Sequence, residues 1–190
     1  MRTENKIIKL LIEDKKAFTI RQISKKIKSD YRITHEVVQK LIKRSIILKQ
    51  TVGRSSLCKL NEKYYGIEIY EVEDEKKRQL LRNKDIKQFY KEILSKIDTS
   101  FFIFLVFGSY AKNKQTKTSD IDIMFISNNK RFEEKINKIL SLIPVKTHIL
   151  IFNEKEFRNM HKSEKSNVVK EAVNNCIILY GIENYYRLIK

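Results

Sequence analysis

The residues best suited to chemistry are two aspartates in the second half of the chain. Asp120 and Asp122 stand directly before the apolar run 123–126. Residues two apart on a strand project from the same face, so the two carboxylates are expected side by side. Adjacent carboxylates repel each other unless a cation lies between them, and a set of oxygen donors suits Mg²⁺ or Mn²⁺. The pair is therefore a candidate metal and catalytic site, and the alternative is a solvated turn before a strand.

A glycine and a serine precede the aspartates. Gly108-Ser109 follows residues 101–107, an apolar run typical of a strand buried on both faces, and ten residues separate the pair from the first aspartate. Glycine lets the backbone approach a phosphate, and a serine at a helix N-terminus offers an amide and a hydroxyl to an anion. Lys112 and Lys117, in the intervening segment, would be available to a triphosphate. These residues together indicate nucleotidyl transfer from a nucleoside triphosphate, with the metal orienting the α-phosphate.

The composition excludes several classes of protein. The 190 residues allow one domain or two small ones, and an apolar fraction of 42% is enough to fill a core. The longest apolar run has seven residues, against roughly twenty in a transmembrane helix, and the N-terminus is too polar for a signal peptide. Cys58 and Cys176 make neither a disulfide framework nor a zinc cluster, and both are expected in the core. We therefore expect a cytoplasmic protein that does not contact a membrane.

Positive charge is concentrated in the first third of the chain. The net charge is +17 for the whole chain, +10 over residues 1–62 and +6 over residues 101–190. Such asymmetry favours a basic module with a nucleic-acid partner, and the alternative is a lysine-rich solvated surface. Apolar spacing predicts a helix over 4–14, and a capping box of Thr19 and Gln22 predicts a second helix.

A third helix and a hairpin complete this part. Ser29 and Asp30 offer an N-cap for a helix whose apolar stripe comprises Ile33, Val37, Val38, Leu41 and Ile42. Short strands at 46–48 and 56–60 flank a glycine turn over 52–55.

Three short helices and a hairpin resemble the winged helix-turn-helix of archaeal and bacterial regulators, above all over residues 40–61. The resemblance implies that the third helix enters the major groove of DNA. The residues then expected to contact DNA are Arg32, Thr34, His35, Gln39, Lys43 and Arg54. Lys40 and Arg44 would add attraction to phosphates that salt weakens. The resemblance also implies a homodimer, and the alternative role of the module is protein interaction.

The remaining sequence predicts a connector over 63–84 and a second domain over 85–190. A helical stripe from Asp85 opens this domain, and a helix after the aspartates ends at Pro144. Residues 145–152 predict a strand, and Gly181 is expected to close the last strand in a turn.

The Gly-Ser pair, the Asp pair, their spacing and the strands beside them resemble the DNA polymerase β-type nucleotidyltransferase superfamily. The likeness is greatest to the minimal nucleotidyltransferases of prokaryotes, which include antitoxins paired with HEPN-type toxins. It implies a small mixed sheet, Mg²⁺ or Mn²⁺, ATP or another nucleoside triphosphate as substrate, and AMP transfer to a tyrosine of a partner toxin. The expected fold is α+β, with a winged helix-turn-helix before a nucleotidyltransferase domain.

The strand over 145–152 departs from that family, whose active members carry a third carboxylate there. This strand has no Asp or Glu, and the expected position falls near Thr147 or His148. His148 is open to two interpretations, a base or a structural residue, while Glu154 and Glu156 are expected to face away. Two main functions follow: a transferase of AMP to a partner protein, and a DNA-binding regulator with a catalytically degenerate domain. A transferase acting on RNA is a third.

Overall fold

The computed structural model describes residues 1–53, 55–99, 101–116, 118–140 and 146–189. Contacts divide the chain into two compact units, Met1–Val72 and Glu73–Lys190, and the division falls within one helix, Ile67–Leu80. Among the described residues, no helix is both long and apolar enough to cross a membrane.

The first unit consists of three helices followed by a hairpin and the start of a fourth helix. Its elements are α1 (Thr3–Asp14), α2 (Ile20–Lys26), α3 (Tyr31–Lys43), β1 (Ile47–Val52), β2 (Ser55–Leu60) and the first part of α4 (Ile67–Leu80). Strands β1 and β2 pair antiparallel, with Val52 opposite Ser55 across the turn. The helices and the hairpin predicted from the sequence are therefore present.

Local hydrogen bonds explain where these helices begin. The Thr19 hydroxyl accepts from the Gln22 amide, and the Gln22 side chain accepts from the Thr19 amide, which confirms the capping box. The Asp30 carboxylate, not the Ser29 side chain, caps α3. Gly53 has φ +58°, which allows the tight turn between β1 and β2. Cys58 is fully buried, as predicted, and burial raises the pKa of its thiol.

The second unit is built around a four-stranded mixed sheet. Its elements after α4 are α5 (Lys84–Lys96), β3 (Ile103–Phe107), α6 (Gly108–Ala111), β4 (Ile121–Ile126), α7 (Phe132–Leu140), β5 (Thr147–Phe152), α8 (Glu154–Lys162), α9 (Val168–Asn174), β6 (Ile177–Tyr180) and α10 (Ile182–Leu188). The strand order is β5-β4-β3-β6; β4 and β5 are parallel, and the other pairs are antiparallel. This confirms the expected small mixed sheet. The predicted helix end at Pro144 and the predicted first strand residue, Val145, lie outside the described residues.

The sheet has an apolar layer on each face. Phe104, Ile123 and Phe125 pack with residues of α5 and α7 on one face. Leu105, Met124 and Ile178 pack with residues of α8, α9 and α10 on the other. Strand β3 is buried along its whole length, as its unbroken apolar sequence predicts. Cys176 lies in the second layer, and Gly181 has φ +78° where β6 turns into α10, so both predictions are confirmed.

Candidate functional site

The candidate site lies where β3 ends and β4 begins. Asp122 pairs with Phe107 across the two antiparallel strands, which places its carboxylate beside Gly108. Gly108 has φ +67°, and a Cβ at this position would overlap Oδ2 of Asp122. The glycine therefore avoids the strain that a side chain has at a positive φ, and it leaves the space that the carboxylate occupies. Ile121 and Ile123 point into the core, as the strand alternation predicts.

The segment between the glycine and the aspartates begins with a short helix and continues as a loop. Ser109 is half-buried in the first turn of α6, where backbone amides lack carbonyl partners within the helix. The Lys114 amide donates to the Ser109 carbonyl at 2.9 Å, and the Thr116 amide donates to the Ser119 hydroxyl at 2.9 Å. Asp120 follows this loop and is exposed directly before β4. The predicted phosphate contact Lys117 lies outside the described residues.

Lys112 is in this loop, but a carboxylate holds its ammonium group. Its Nζ lies 2.9 Å from Oε1 of Glu171 on α9. Both side chains are partly exposed, so the ion pair is open to solvent and to competing anions. A phosphate that recruits Lys112 would have to replace Glu171.

His148, which the sequence leaves open as a base or a structural residue, lies beside the second aspartate. It pairs in register with Asp122 across parallel strands β4 and β5, and its Nδ1 lies 3.3 Å from Oδ1 of Asp122. Its side chain is 59% exposed, against 28% for Asp122, so it belongs to the open edge of the site and not to the core. The register of β4 against β5 selects His148 over Thr147, the two positions that the sequence leaves open.

The carboxylates that follow β5 are engaged elsewhere. The Glu156 side chain accepts from the Asn153 amide in the capping box of α8. The Glu154 side chain accepts from Asn128. Both lie beyond the opposite end of β5 from His148, which agrees with the expectation that they face away from the aspartates.

The donors at this site suit a metal that is completed by its substrate. Within the described ranges, no group of three or more His, Cys, Asp and Glu side chains is arranged to hold a metal ion. Mg²⁺ in phosphate-transfer sites is typically held by one or two carboxylates together with substrate phosphates. Asp122, with Asp120 two residues before it, provides this kind of partial set. The donor chemistry therefore fits a divalent ion that binds together with a nucleotide.

The second candidate surface is the exposed face of α3. The Arg32 side chain is 89% exposed, and His35 and Lys43 are exposed as well. Gln39 is half-buried, with its Nε2 3.5 Å from Nε2 of His35. Arg32, His35 and Lys43 are therefore accessible to a partner, and the contact of these side chains and of Gln39 with DNA stays a prediction. Arg54, at the hairpin turn, lies outside the described residues.

Three expectations about α3 and its end were wrong. Thr34 was expected to face DNA, but it is fully buried, and its hydroxyl donates to the Asp30 carbonyl at 2.7 Å. Ile33 was expected in the core, but it is 51% exposed. The buried residues of α3 are Thr34, Val38 and Leu41. The buried stripe therefore begins at position 34, and not at position 33 as the apolar pattern predicted. Arg44 is not free for phosphates, because its guanidinium pairs with Glu4 at 2.7 Å and with Glu68.

Comparison with known proteins relates the second unit to one protein family. Residues 86–178 match the family model of the nucleotidyltransferase domain. The match contains the Gly-Ser pair, both aspartates and His148, and it covers the strands that position them. Neither the curated proteins nor the solved structures yield a match. Residues 86–178 are thus similar to a nucleotidyltransferase domain, which supports nucleotidyl transfer in general terms.

Proposed function

We propose that the unit Glu73–Lys190 is a metal-dependent nucleotidyltransferase that transfers AMP from ATP to a hydroxyl group. The observation that carries the proposal is the Asp122 carboxylate against Gly108, within the segment that matches the family model. In the reaction, the acceptor oxygen bonds to the α-phosphorus of ATP and the α–β anhydride bond breaks. Pyrophosphate leaves, and the hydroxyl proton passes to solvent.

Each residue of the site has a role in this proposal. Asp120 and Asp122 hold Mg²⁺ or Mn²⁺, which when bound neutralises phosphate charge and orients the α-phosphate. Gly108 and Ser109 approach the phosphates through their backbone, since no Cβ separates Gly108 from the site. Lys112 and Lys117 are assigned to the triphosphate, and Lys112 reaches it only after leaving Glu171.

The proposed acceptor is a tyrosine hydroxyl on a partner protein. Its support is the resemblance of the motif between Gly108 and Asp122 to antitoxins that modify HEPN-type toxins. In this arrangement the transfer silences the partner.

The proposed role of the unit Met1–Val72 is DNA binding as a winged helix. Three helices, an antiparallel hairpin and a net charge of +10 over residues 1–62 support it. Arg32, His35, Gln39 and Lys43 would contact the groove, with Arg54 at the wing tip. Two half-sites in the DNA would require two recognition helices and hence a homodimer.

A second candidate function is a DNA-binding regulator whose transferase domain no longer catalyses. The observation that favours it is strand β5, which has His148 where the related enzymes carry a carboxylate. Loss of a base or a metal ligand lowers a rate by about 10²-fold or more.

A labelling assay separates the two candidates. The full chain is incubated with Mg²⁺ or Mn²⁺ and ATP labelled on the α-phosphate, in a lysate of its own organism, beside the Asp120→Asn/Asp122→Asn double variant. The proposal predicts a labelled band with the unaltered chain only. Protease sensitivity of the label would identify a protein acceptor, and nuclease sensitivity would identify RNA. Absence of label with both metals, from folded protein, would favour the regulator.

A further inference from the structure

We propose that His148 is a metal donor beside Asp122 and that the site therefore selects Mn²⁺ over Mg²⁺. The inference rests on the proposed function, because it requires a divalent ion at Asp122. It concerns the one feature of the site that the nucleotidyltransferase motif does not account for: an exposed imidazole in register with the second aspartate.

The geometry between the two side chains suits two ligands of one ion. Nδ1 of His148 lies 3.3 Å from Oδ1 of Asp122. This separation is slightly longer than the roughly 2.7–3.2 Å of an ordinary N–H···O hydrogen bond. Two ligands at right angles around an octahedral ion, each about 2.1 Å from it, lie about 3.0 Å apart. The pair thus needs only a small adjustment to hold a metal, and the exposed imidazole is able to turn.

The two carboxylates that directly follow β5 are not placed to take over the role of His148. Glu154 and Glu156 lie six and eight residues further on, past the opposite end of β5. At about 3.3 Å per residue of strand, Glu154 lies roughly 20 Å along the chain from His148. Both glutamates are also hydrogen-bonded at the start of α8, to Asn128 and to the Asn153 amide. The nitrogen of His148 is therefore the donor that β5 offers at this end.

A nitrogen donor changes which ion the site prefers. Imidazole nitrogen is a better ligand for first-row transition ions than for Mg²⁺, and among those ions Mn²⁺ is the one that, like Mg²⁺, is also held by carboxylates, carbonyls and water. The described residues contain no cluster of three donors, so phosphate oxygens and water must complete the coordination of either ion. Mn²⁺ and Mg²⁺ both accept those oxygens. The imidazole is the ligand that distinguishes the two ions, and it favours Mn²⁺.

Electron paramagnetic resonance tests the proposal without any need for activity. Mn²⁺ is titrated into the full chain with a non-hydrolysable ATP analogue, and Mg²⁺ is then added as competitor. Pulsed measurements on the bound Mn²⁺ report directly whether a ¹⁴N nucleus is a ligand. The variants are His148→Ala, His148→Asp and Asp122→Asn, and the matched control is Thr147→Val, the neighbour whose side chain projects from the other face of the sheet.

The expected result is bound Mn²⁺ with a ¹⁴N signal that persists in Thr147→Val and disappears in both His148 variants. His148→Ala should weaken Mn²⁺ binding by at least about tenfold, since even indirect partners of a metal contribute 10–100-fold. His148→Asp should reduce the preference for Mn²⁺ over Mg²⁺ by a similar factor. Mn²⁺ binding that depends on Asp122 but lacks a ¹⁴N signal would overturn the role of His148 and leave the proposed metal site standing. If neither ion binds with the nucleotide analogue, both proposals fail.

Discussion

The two candidate sites of this chain differ in how their side chains are held. On α3, Arg32, His35 and Lys43 extend into solvent. At the sheet end, Asp122 is held by pairing with Phe107, and its carboxylate occupies the space that a Cβ at position 108 would take. Each cationic side chain on an exposed surface adds a salt-dependent increment to the attraction for phosphates. The activity of a tightly packed site, in contrast, depends on the exact position of each reacting group. A single substitution on α3 should therefore lower DNA affinity by a small increment, whereas a single substitution at the sheet end should cause a large loss of transfer activity.

The largest effect is expected from Asp122→Asn. The substitution keeps the shape of the side chain but removes the charge proposed to hold the metal, so nucleotidyl transfer should fall by about 10³-fold or more. The measurement is the initial rate of labelling from α-labelled ATP. Asp98→Asn is the matched control: the hydrogen bond and the charge of Lys135 lower the pKa of Asp98, so this variant also removes a negative charge at neutral pH. Equal losses in the two variants would show that Asp122 has no special role.

Gly108→Ala is expected to have the second largest effect. The added Cβ would displace the Asp122 carboxylate, and the rate should fall by about 10²-fold, as for a small misplacement of a reacting group. Gly53→Ala is a strict control, because Gly53 also has a positive φ, +58°, but has nothing within 4 Å of the added carbon. Both variants should lose about 1–2 kcal/mol of stability. Only Gly108→Ala should lose transfer; equal activity in both would contradict the account of a crowded site.

Arg32→Ala should produce a moderate, graded effect on DNA binding. Loss of one phosphate contact should weaken affinity for all duplexes and reduce the slope of log affinity against log salt by about 1. The comparison variant is Thr34→Val on the same helix turn. Because Thr34 is buried and bonded to the Asp30 carbonyl, this change should cost about 1 kcal/mol of stability and leave the salt slope unchanged. A reversed pattern, with Thr34 setting the slope, would restore the original assignment of the DNA-facing surface.

The smallest effect is expected from Glu171→Gln. Removal of this carboxylate releases Lys112 for the triphosphate, and ATP affinity should rise about two- to fivefold, the range of an exposed ion pair. Equilibrium titration with a non-hydrolysable analogue measures the change. Glu183→Gln, which removes a carboxylate from another exposed ion pair of the same unit, should leave affinity unchanged. Weaker ATP binding in Glu171→Gln would mean that Glu171 positions Lys112 instead of competing for it.

Features encoded by neighbouring residues were predictable from the sequence. The Thr19–Gln22 capping box, the buried strand β3 and the turn at Gly181 depend on local patterns, and the structure confirms each. The Gly-Ser and Asp pairs were also recognisable, because their spacing is fixed by two adjacent antiparallel strands.

Features that depend on distant parts of the chain were predicted incompletely or not at all. The position that faces Asp122 was narrowed only to Thr147 or His148, because the register of the parallel strand pair decides between them. The pairing of Lys112 with Glu171 joins residues 59 positions apart and was not predicted. The exchange of Ile33 and Thr34 has a different cause. The Thr34 hydroxyl is satisfied by the Asp30 carbonyl, so this polar side chain can be buried, and the apolar pattern does not mark it as a buried position.

The most direct test of the central claim is a paired labelling reaction. Two identical mixtures of the full chain, Mn²⁺ and lysate receive ATP labelled on either the α- or the γ-phosphate. The account predicts that the acceptor carries label from the α-position only, with the γ-label recovered in pyrophosphate, and that Asp122→Asn abolishes the α-signal. Label from the γ-position on the acceptor, or an α-signal unchanged in Asp122→Asn, would contradict nucleotidyl transfer at this site.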